Sequence, residues 1–149
     1  MAGDGVSVLR KLLFFLLFYQ QIVYASSFAL DKKIYSTILH SIFPEKKTIH
    51  LYTDSKQKES LFAQIKGVQL VQKERADILI IGKTDQDIND EKSIIFVDNF
   101  HAFKFYKKIA IGGFYWKKGR PNLVFIRENL QKHHIVLPPA MQKYIYDNL

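Results

Sequence analysis

Residues Ile109–Ile126 read Ile-Ala-Ile-Gly-Gly-Phe-Tyr-Trp-Lys-Lys-Gly-Arg-Pro-Asn-Leu-Val-Phe-Ile. Two apolar runs, one ending at Trp116 and one starting at Asn122, flank a short cationic segment that contains Gly119 and Pro121. This arrangement predicts a β-hairpin with a charged tip. Because the residues on both faces of each run are apolar, we expect strands that are covered on both sides, in the interior of a layered domain.

Composition limits the class of protein. The chain has 149 residues, of which 48% are hydrophobic and 14% aromatic, enough for one domain with a substantial core. It has no cysteine, which excludes a disulfide scaffold, thiol catalysis and a Cys-ligated zinc site. The formal net charge of +8 is compatible with nucleic acid, an anionic membrane surface or an acidic protein as partner. The lysines are scattered in isolated pairs, as on an ordinary solvated surface.

The N-terminus has the form of an export signal. Arg10 and Lys11 precede the apolar run Leu12–Phe18, and a more polar run then ends at Ala25. We therefore predict a signal peptide over residues 1–25, a single α/β domain over residues 26–149 and a periplasmic location.

A transmembrane anchor is the alternative interpretation of this segment. Gln20 and Gln21 interrupt the apolar run well before the roughly 20 residues that a bilayer core requires. We expect the membrane to matter only before the signal is cleaved. Export also argues against a nucleic-acid partner.

The rest of the chain alternates helical and extended patterns. An amphipathic helix is predicted over Leu30–Phe43, where apolar residues recur every four positions and Pro44 follows. A second helix is predicted over Ser55–Ile65, with Asp54 as its N-cap. Strands are predicted at Thr48–Tyr52, Val68–Val71, Ala76–Gly82 and Ser93–Val97, a polar loop or frayed helix at Thr84–Lys92, and a short helix, a brief strand and a second helix at Arg127–His133, Ile135–Leu137 and from Pro138.

This order predicts an α/β fold. Strands separated by helical or polar segments imply right-handed crossovers and a mostly parallel sheet. The unbroken aliphatic run Ile78–Ile81 is typical of a central parallel strand. We expect a single-domain three-layer sandwich with a mostly parallel central sheet that ends in the antiparallel hairpin.

Two carboxylates and a lysine are the candidates for a crevice. Ligands of an open α/β sheet lie at the carboxyl ends of the strands. At these ends the sequence places Asp54, Lys83 and Asp98. Helix capping by Asp54 and strand termination at Asp98 explain both acids without any function, so this interpretation stays open beside the functional one.

No catalytic, cofactor or metal site is predicted from motifs. Gly112 and Gly113 lie inside a predicted strand, so they do not form a phosphate-binding loop. The neighbouring His133 and His134 point apart in any regular element and have no metal-binding spacing. No serine lies in a nucleophile elbow. The expectation is a protein that is not an enzyme.

Two aromatic clusters are candidates for binding surfaces. Phe100, Phe103, Phe105 and Tyr106 crowd a segment that has the pattern of a loop, and the alternative is a lid that covers the sheet. Exposed aromatic and Arg side chains are the usual composition of interface hot spots. At the hairpin tip the partner-binding candidates are Tyr115, Trp116, Lys117, Lys118 and Arg120, whose cations have solvation as their alternative explanation.

The order of elements resembles the YfiR-like family of small periplasmic regulatory proteins. The helix before Pro44, the run Ala76–Gly82, the strand Ile94–Asp98, the Ile111-Gly112-Gly113 segment and the strand Asn122–Ile126 carry the resemblance. It implies a non-enzymatic α/β domain without a cofactor. It also implies a partner, the periplasmic region of an inner-membrane diguanylate cyclase, whose cyclic-di-GMP synthesis the domain would restrain.

Two other possibilities accompany this expectation. The chain could be a periplasmic protein that binds a small anion or metabolite in the crevice near Asp54, Lys83 and Asp98. It could also form a homodimer.

Overall fold

The computed structural model describes residues 4–85, 87–88 and 92–147, with the backbone alone for residues 4 and 22–26. The helices are α1 (Asp4–Ile42), α2 (Lys56–Ala63), α3 (Phe100–Tyr106) and α4 (Arg127–Lys132), and Lys73–Arg75 and Pro139–Tyr144 form short 3-10 helices. The strands are β1 (Ile49–Thr53), β2 (Val68–Leu70), β3 (Ile78–Ile81), β4 (Ile95–Val97), β5 (Gly112–Lys117), β6 (Arg120–Ile126) and β7 (Ile145–Tyr146).

The strands form one sheet in the order β2-β1-β3-β4-β5-β6-β7. Neighbours from β2 to β5 are parallel, β5 and β6 pair in antiparallel fashion, and the short β7 lies parallel to β6. The predicted α/β class with a mostly parallel sheet is therefore confirmed.

Helices cover both faces of the sheet. In β3, Ile78 and Ile80 pack in a cluster with residues of α1 and α2, whereas Leu79 and Ile81 pack in a second cluster with residues of α3. All four side chains are at most 2% exposed. This two-sided burial explains why β3 is an uninterrupted aliphatic run rather than an alternation of apolar and polar residues.

The predicted hairpin is β5 and β6. Its two-residue turn has positive φ angles at Lys118 (51°) and Gly119 (71°), the backbone of a type I′ turn, whose twist matches that of the flanking strands. The pairing of Trp116 with Pro121 and of Lys117 with Arg120 extends the strands into the tip by one or two residues more than the sequence pattern indicated.

The two strand glycines are explained by close packing. A Cβ atom on Gly112 would lie 2.2 Å from the carbonyl oxygen of Val124, and one on Gly113 would lie 2.6 Å from a methyl group of Val97. Neighbouring backbone and side chains thus occupy the space that a side chain would need.

The start of the first helix was predicted wrongly. Helix α1 does not begin near Leu30 but runs without a break from Asp4, because no proline or glycine interrupts the sequence between Val6 and Phe43. Its end before Pro44 is confirmed.

The aromatic segment after Asp98 was also predicted wrongly. It is the helix α3, whose first turn is capped by Asn99, the side-chain oxygen of which accepts from the amide of Ala102 at 2.8 Å. Phe103 and Tyr106 are buried against the sheet, as the lid interpretation required, while Phe105 is 61% exposed.

The C-terminal segment differs from its prediction in two places. Residues 135–137 are not a strand, and the strand is instead β7, after the 3-10 helix Pro139–Tyr144. A two-residue strand is too short to produce an alternating pattern in the sequence. Parts of two further predictions, residues 1–3 of the signal and residues 86 and 89–91 of the polar segment, lie outside the described residues.

Over the described part of the chain, every helix is too short or too polar to span a bilayer.

Candidate functional site

The three crevice candidates lie together at the carboxyl ends of the parallel strands. Asp54 follows β1, Lys83 comes two residues after β3, and Asp98 follows β4, and these strands are neighbours in the order β1-β3-β4. The parallel arrangement thus brings together residues that are up to 44 positions apart in sequence, as their positions after strands predicted.

Asp54 joins the ends of two strands. Its carboxylate oxygens accept from the backbone amides of Gly82 and Lys83, each at 2.8 Å. The prediction that Asp54 caps α2 was wrong, because Ser55 is the N-cap and makes no side-chain capping bond. The two strand-end amides use the acceptor capacity that a cap would have used, so this carboxylate holds β1 to the loop after β3.

Asp98 is the most deeply buried acid at this edge. Its side chain is 5% exposed and its carboxylate pairs with the ammonium of Lys58, on α2, at 2.9 Å. The side-chain amide of Asn99 donates to its other oxygen at 3.1 Å. A Cβ atom on Gly82 would lie 2.5 Å from this carboxylate, so the glycine that ends β3 leaves space for Asp98.

Lys58, not Lys83, is therefore the lysine of the crevice. The Lys83 side chain is exposed, and only its backbone takes part, since its amide donates to Asp54 and its carbonyl accepts from the Tyr106 hydroxyl. Sequence reasoning missed Lys58. Its position in the sequence could have identified it. Lys58 lies in the first turn of α2, and because α2 begins shortly after β1, this turn lies beside the carboxyl ends of the strands.

Tyr35 places a phenol beneath this edge. Its residue is fully buried, and its ring makes edge contacts with Phe62 and Phe114 at centroid distances of 4.9 and 5.4 Å. Among the described residues, its hydroxyl is the one buried side-chain polar atom without a hydrogen-bond partner. Burial, and then the negative charges of Asp98 and Asp31, raise the pKa of Tyr35 well above its ordinary value.

The chemistry of the crevice is mainly structural. Each oxygen of the Asp54 and Asp98 carboxylates has a partner within the fold, so both acids hold the carboxyl ends of neighbouring strands and α2 together. Within residues 4–85, 87–88 and 92–147, no group of three or more His, Asp or Glu side chains could hold a metal ion.

The hairpin tip presents a second candidate site, which we call the tip surface: Phe100, Lys104, Trp116, Lys117, Lys118 and Arg120. The ammonium of Lys117 lies 4.2 Å from the ring centroid of Phe100, and that of Lys104 lies 5.2 Å from it. Both distances are in the range of cation–π attraction. The cations of β5 and α3 are thus held together by a ring rather than by an acid.

Trp116 extends the tip surface to the other face of the hairpin. Its indole N–H donates to the carboxylate of Asp31, on α1, at 3.2 Å, and its ring packs on Phe114 with a centroid distance of 6.3 Å. Its side chain nevertheless remains 45% exposed. The indole is therefore oriented from beneath while one side of it stays open to solvent.

The cations of the tip surface have no acidic partners among the residues that the structure describes. In the part of the chain that the structure describes, no ion pair involves Lys104, Lys117, Lys118 or Arg120. Tyr115, by contrast, is only 8% exposed and packs against Phe100 and Phe103, so the structure removes it from the surface candidates.

Comparison of the chain with protein-family models, with curated proteins and with solved structures finds no match in any of the three. The candidate sites rest on their geometry alone.

Proposed function

We propose that this protein is an exported, non-enzymatic regulatory domain that binds the periplasmic region of an inner-membrane signalling protein, a diguanylate cyclase of the kind that YfiR-like regulators restrain. The resemblance in element order supplies the class of partner. The observation that carries the proposal is the tip surface, where four cations form no ion pair with any described residue and Trp116 is 45% exposed.

The composition of the tip surface favours a protein partner. Trp and Arg dominate the binding energy of protein interfaces because they bury a large area while retaining polar contacts. The indole of Trp116 is oriented by Asp31, so little of its side-chain freedom remains to be lost on binding. The lysines of the tip surface, which form no ion pair with any described residue, would steer and orient a partner with acidic side chains.

The position at which α1 begins to pack against the core supports export. The apolar side chains from Val6 to Tyr19 are 56 to 78% exposed, and an apolar groove between Phe14, Phe15 and Phe18 lies among them. Among the side chains of α1 that the structure describes, the first that packs against the core is Phe28, three positions after the predicted cleavage at Ala25. Removal of residues 1–25 would therefore take away none of the described side chains that pack against the core.

A gene deletion tests the proposed function. A regulator that restrains a cyclase is expected to raise intracellular cyclic-di-GMP and biofilm mass when it is lost, and re-expression of the exported chain is expected to restore both. Unchanged cyclic-di-GMP in the deletion strain would contradict the proposal. Mass measurement of the protein purified from the periplasm is expected to give a chain that starts at Ser26.

A further inference from the structure

Two adjoining clefts lie at the end of the sheet opposite to the Asp54 and Asp98 crevice, where β5 begins and β6 ends. Their volumes are about 650 and 350 Å³. They share Lys108, Asn129 and Lys132, and Lys107 lines the larger cleft while His133 lines the smaller one. The clefts thus join the turn after α3 to the end of α4, two segments about twenty residues apart in the sequence.

A buried amide holds these two segments together. Asn129 is 3% exposed, and its side-chain amide donates to the carbonyl oxygens of Lys107 at 3.1 Å and Ala110 at 2.7 Å. These bonds fix the backbone of the turn against α4. Lys107 and Lys108 therefore line the same pair of clefts as Lys132 and His133, although like charges oppose one another.

Two acids, Glu128 and Asp147, also line the larger cleft, and each is paired with a neighbouring cation. Glu128 pairs with Lys132 at 2.9 Å, in an exposed pair one helical turn apart, and Asp147 pairs with Arg127. Lys107 and Lys108 form no ion pair with any described residue. Among the described residues, the lining of the larger cleft therefore holds three lysines and two carboxylates that are already paired, and Lys107 and Lys108 are left without an ion-pair partner there.

His133 lines the smaller cleft. Burial, and then the neighbouring charges of His134 and Lys132, lower the pKa of its imidazole below the ordinary value. An anion bound between these side chains would reverse the sign of the local potential and so raise the pKa of His133.

We propose that this cationic cleft, lined by Lys107, Lys108, Lys132 and His133, binds a phosphate-bearing anion. Lysine ammonium groups bind phosphate as point charges, and an imidazole N–H donates to a phosphate oxygen at the same time. The site is on a different edge of the molecule from the tip surface, and it stands independently of the proposed regulatory function.

Imidazole chemical shifts during a pH titration test the proposal. Inorganic phosphate is added at constant ionic strength, with sodium chloride in the reference sample. Phosphate is expected to raise the pKa of His133. The Lys108→Gln, Lys132→Gln double variant is expected to weaken phosphate binding at least about tenfold, since charge-assisted contacts are lost. The Lys47→Gln, Lys66→Gln double variant is the matched control and should bind as the wild type does.

Vesicles distinguish the source of the phosphate. If the double variant abolishes binding to phosphatidylglycerol vesicles while free phosphate does not shift His133, the site binds a lipid phosphate, and the proposed chemistry still holds. The proposal fails if sodium chloride alone reproduces the shift of His133, or if neither phosphate nor vesicle binding differs between the double variant and its control.

Discussion

The Tyr35 hydroxyl is the least satisfied group among the described residues. It lies in a dry environment between two aromatic rings, near the negative charges of Asp98 and Asp31, and no donor or acceptor reaches it. A buried hydroxyl without a partner costs about 1 to 3 kcal/mol relative to its hydration in the unfolded chain.

Tyr35→Phe is expected to stabilise the protein by about 1 kcal/mol, because it removes the unpaired hydroxyl and keeps both ring contacts. The control is Tyr106→Phe, which removes a hydroxyl that donates to the Lys83 carbonyl at 3.1 Å and should destabilise by a similar amount. Urea unfolding measures both. A loss of stability in Tyr35→Phe as large as that in Tyr106→Phe would show that the Tyr35 hydroxyl is hydrogen bonded.

Asp77 makes the stability depend on pH in the acid range. Burial of its carboxyl opposes ionisation, but the amide of His50 at 2.8 Å and the ammonium of Lys46 at 3.0 Å outweigh it and lower the pKa of Asp77. A lowered pKa means that the folded chain binds fewer protons than the unfolded chain. The stabilisation is therefore present above the ordinary value of about 3.9 and is lost as the pH falls through the folded value.

Asp77→Asn is expected to lower the free energy of unfolding by about 1 to 2 kcal/mol at neutral pH, with the difference shrinking below pH of about 4. Glu128→Gln is the control, since its pair with Lys132 is exposed and should contribute no more than about 0.5 kcal/mol. A difference between Asp77→Asn and the wild type that does not shrink as the pH falls through the acid range would contradict this role.

Among the elements, the hairpin shows how much the sequence determines locally. Its two apolar runs and the glycine in the tip were sufficient to predict both strands and the turn between them. The glycine pair in β5 was predicted to lie inside a strand, and the distances to Val124 and Val97 show that close packing requires glycine there.

Gly112→Ala is expected to destabilise the fold by more than about 2 kcal/mol, because the added Cβ meets backbone atoms that cannot rotate away. Gly119→Asn is the matched control. A Cβ there meets nothing within 4 Å, and asparagine tolerates the positive φ that the turn requires. Thermal unfolding compares the two, and equal midpoints for both variants would contradict the packing account.

Two predictions about helices, the loop at α3 and the N-cap of α2, failed for physical reasons. Helix α3 has several bulky aromatic residues, which lowers its intrinsic helix propensity, and it forms because Asn99 caps it and two of its aromatic side chains pack on the sheet. Asp54 directly precedes α2, as an N-cap would. Its oxygens nevertheless accept from the backbone amides of Gly82 and Lys83, which follow β3 and are distant in sequence. Neither effect is encoded in a local window.

For the molecule as a whole, the parallel sheet followed from the alternation of patterns, and the grouping of Asp54, Lys83 and Asp98 at one edge followed from the sheet. The roles of these residues did not follow. Lys58 reaches Asp98 only because α2 crosses back over β1, and the ring of Phe100 joins the cations of the tip only because α3 packs beside β5. Both contacts require the three-dimensional arrangement.

The tip surface is most directly tested by complementation of the deletion strain with a charge-reversed tip, Lys117→Glu, Lys118→Glu, Arg120→Glu. The control is Lys47→Glu, Lys56→Glu, Lys66→Glu, which makes the same change of charge at exposed lysines in and around α2. Both purified variants are expected to unfold within about 0.5 kcal/mol of the wild type, as surface changes do.

The decisive measurement is intracellular cyclic-di-GMP in these strains. We predict that the control variant restores the wild-type level and that the tip variant leaves cyclic-di-GMP as high as in the deletion strain. Restoration by the tip variant to the same level as the control would contradict the claim that the tip surface binds the partner.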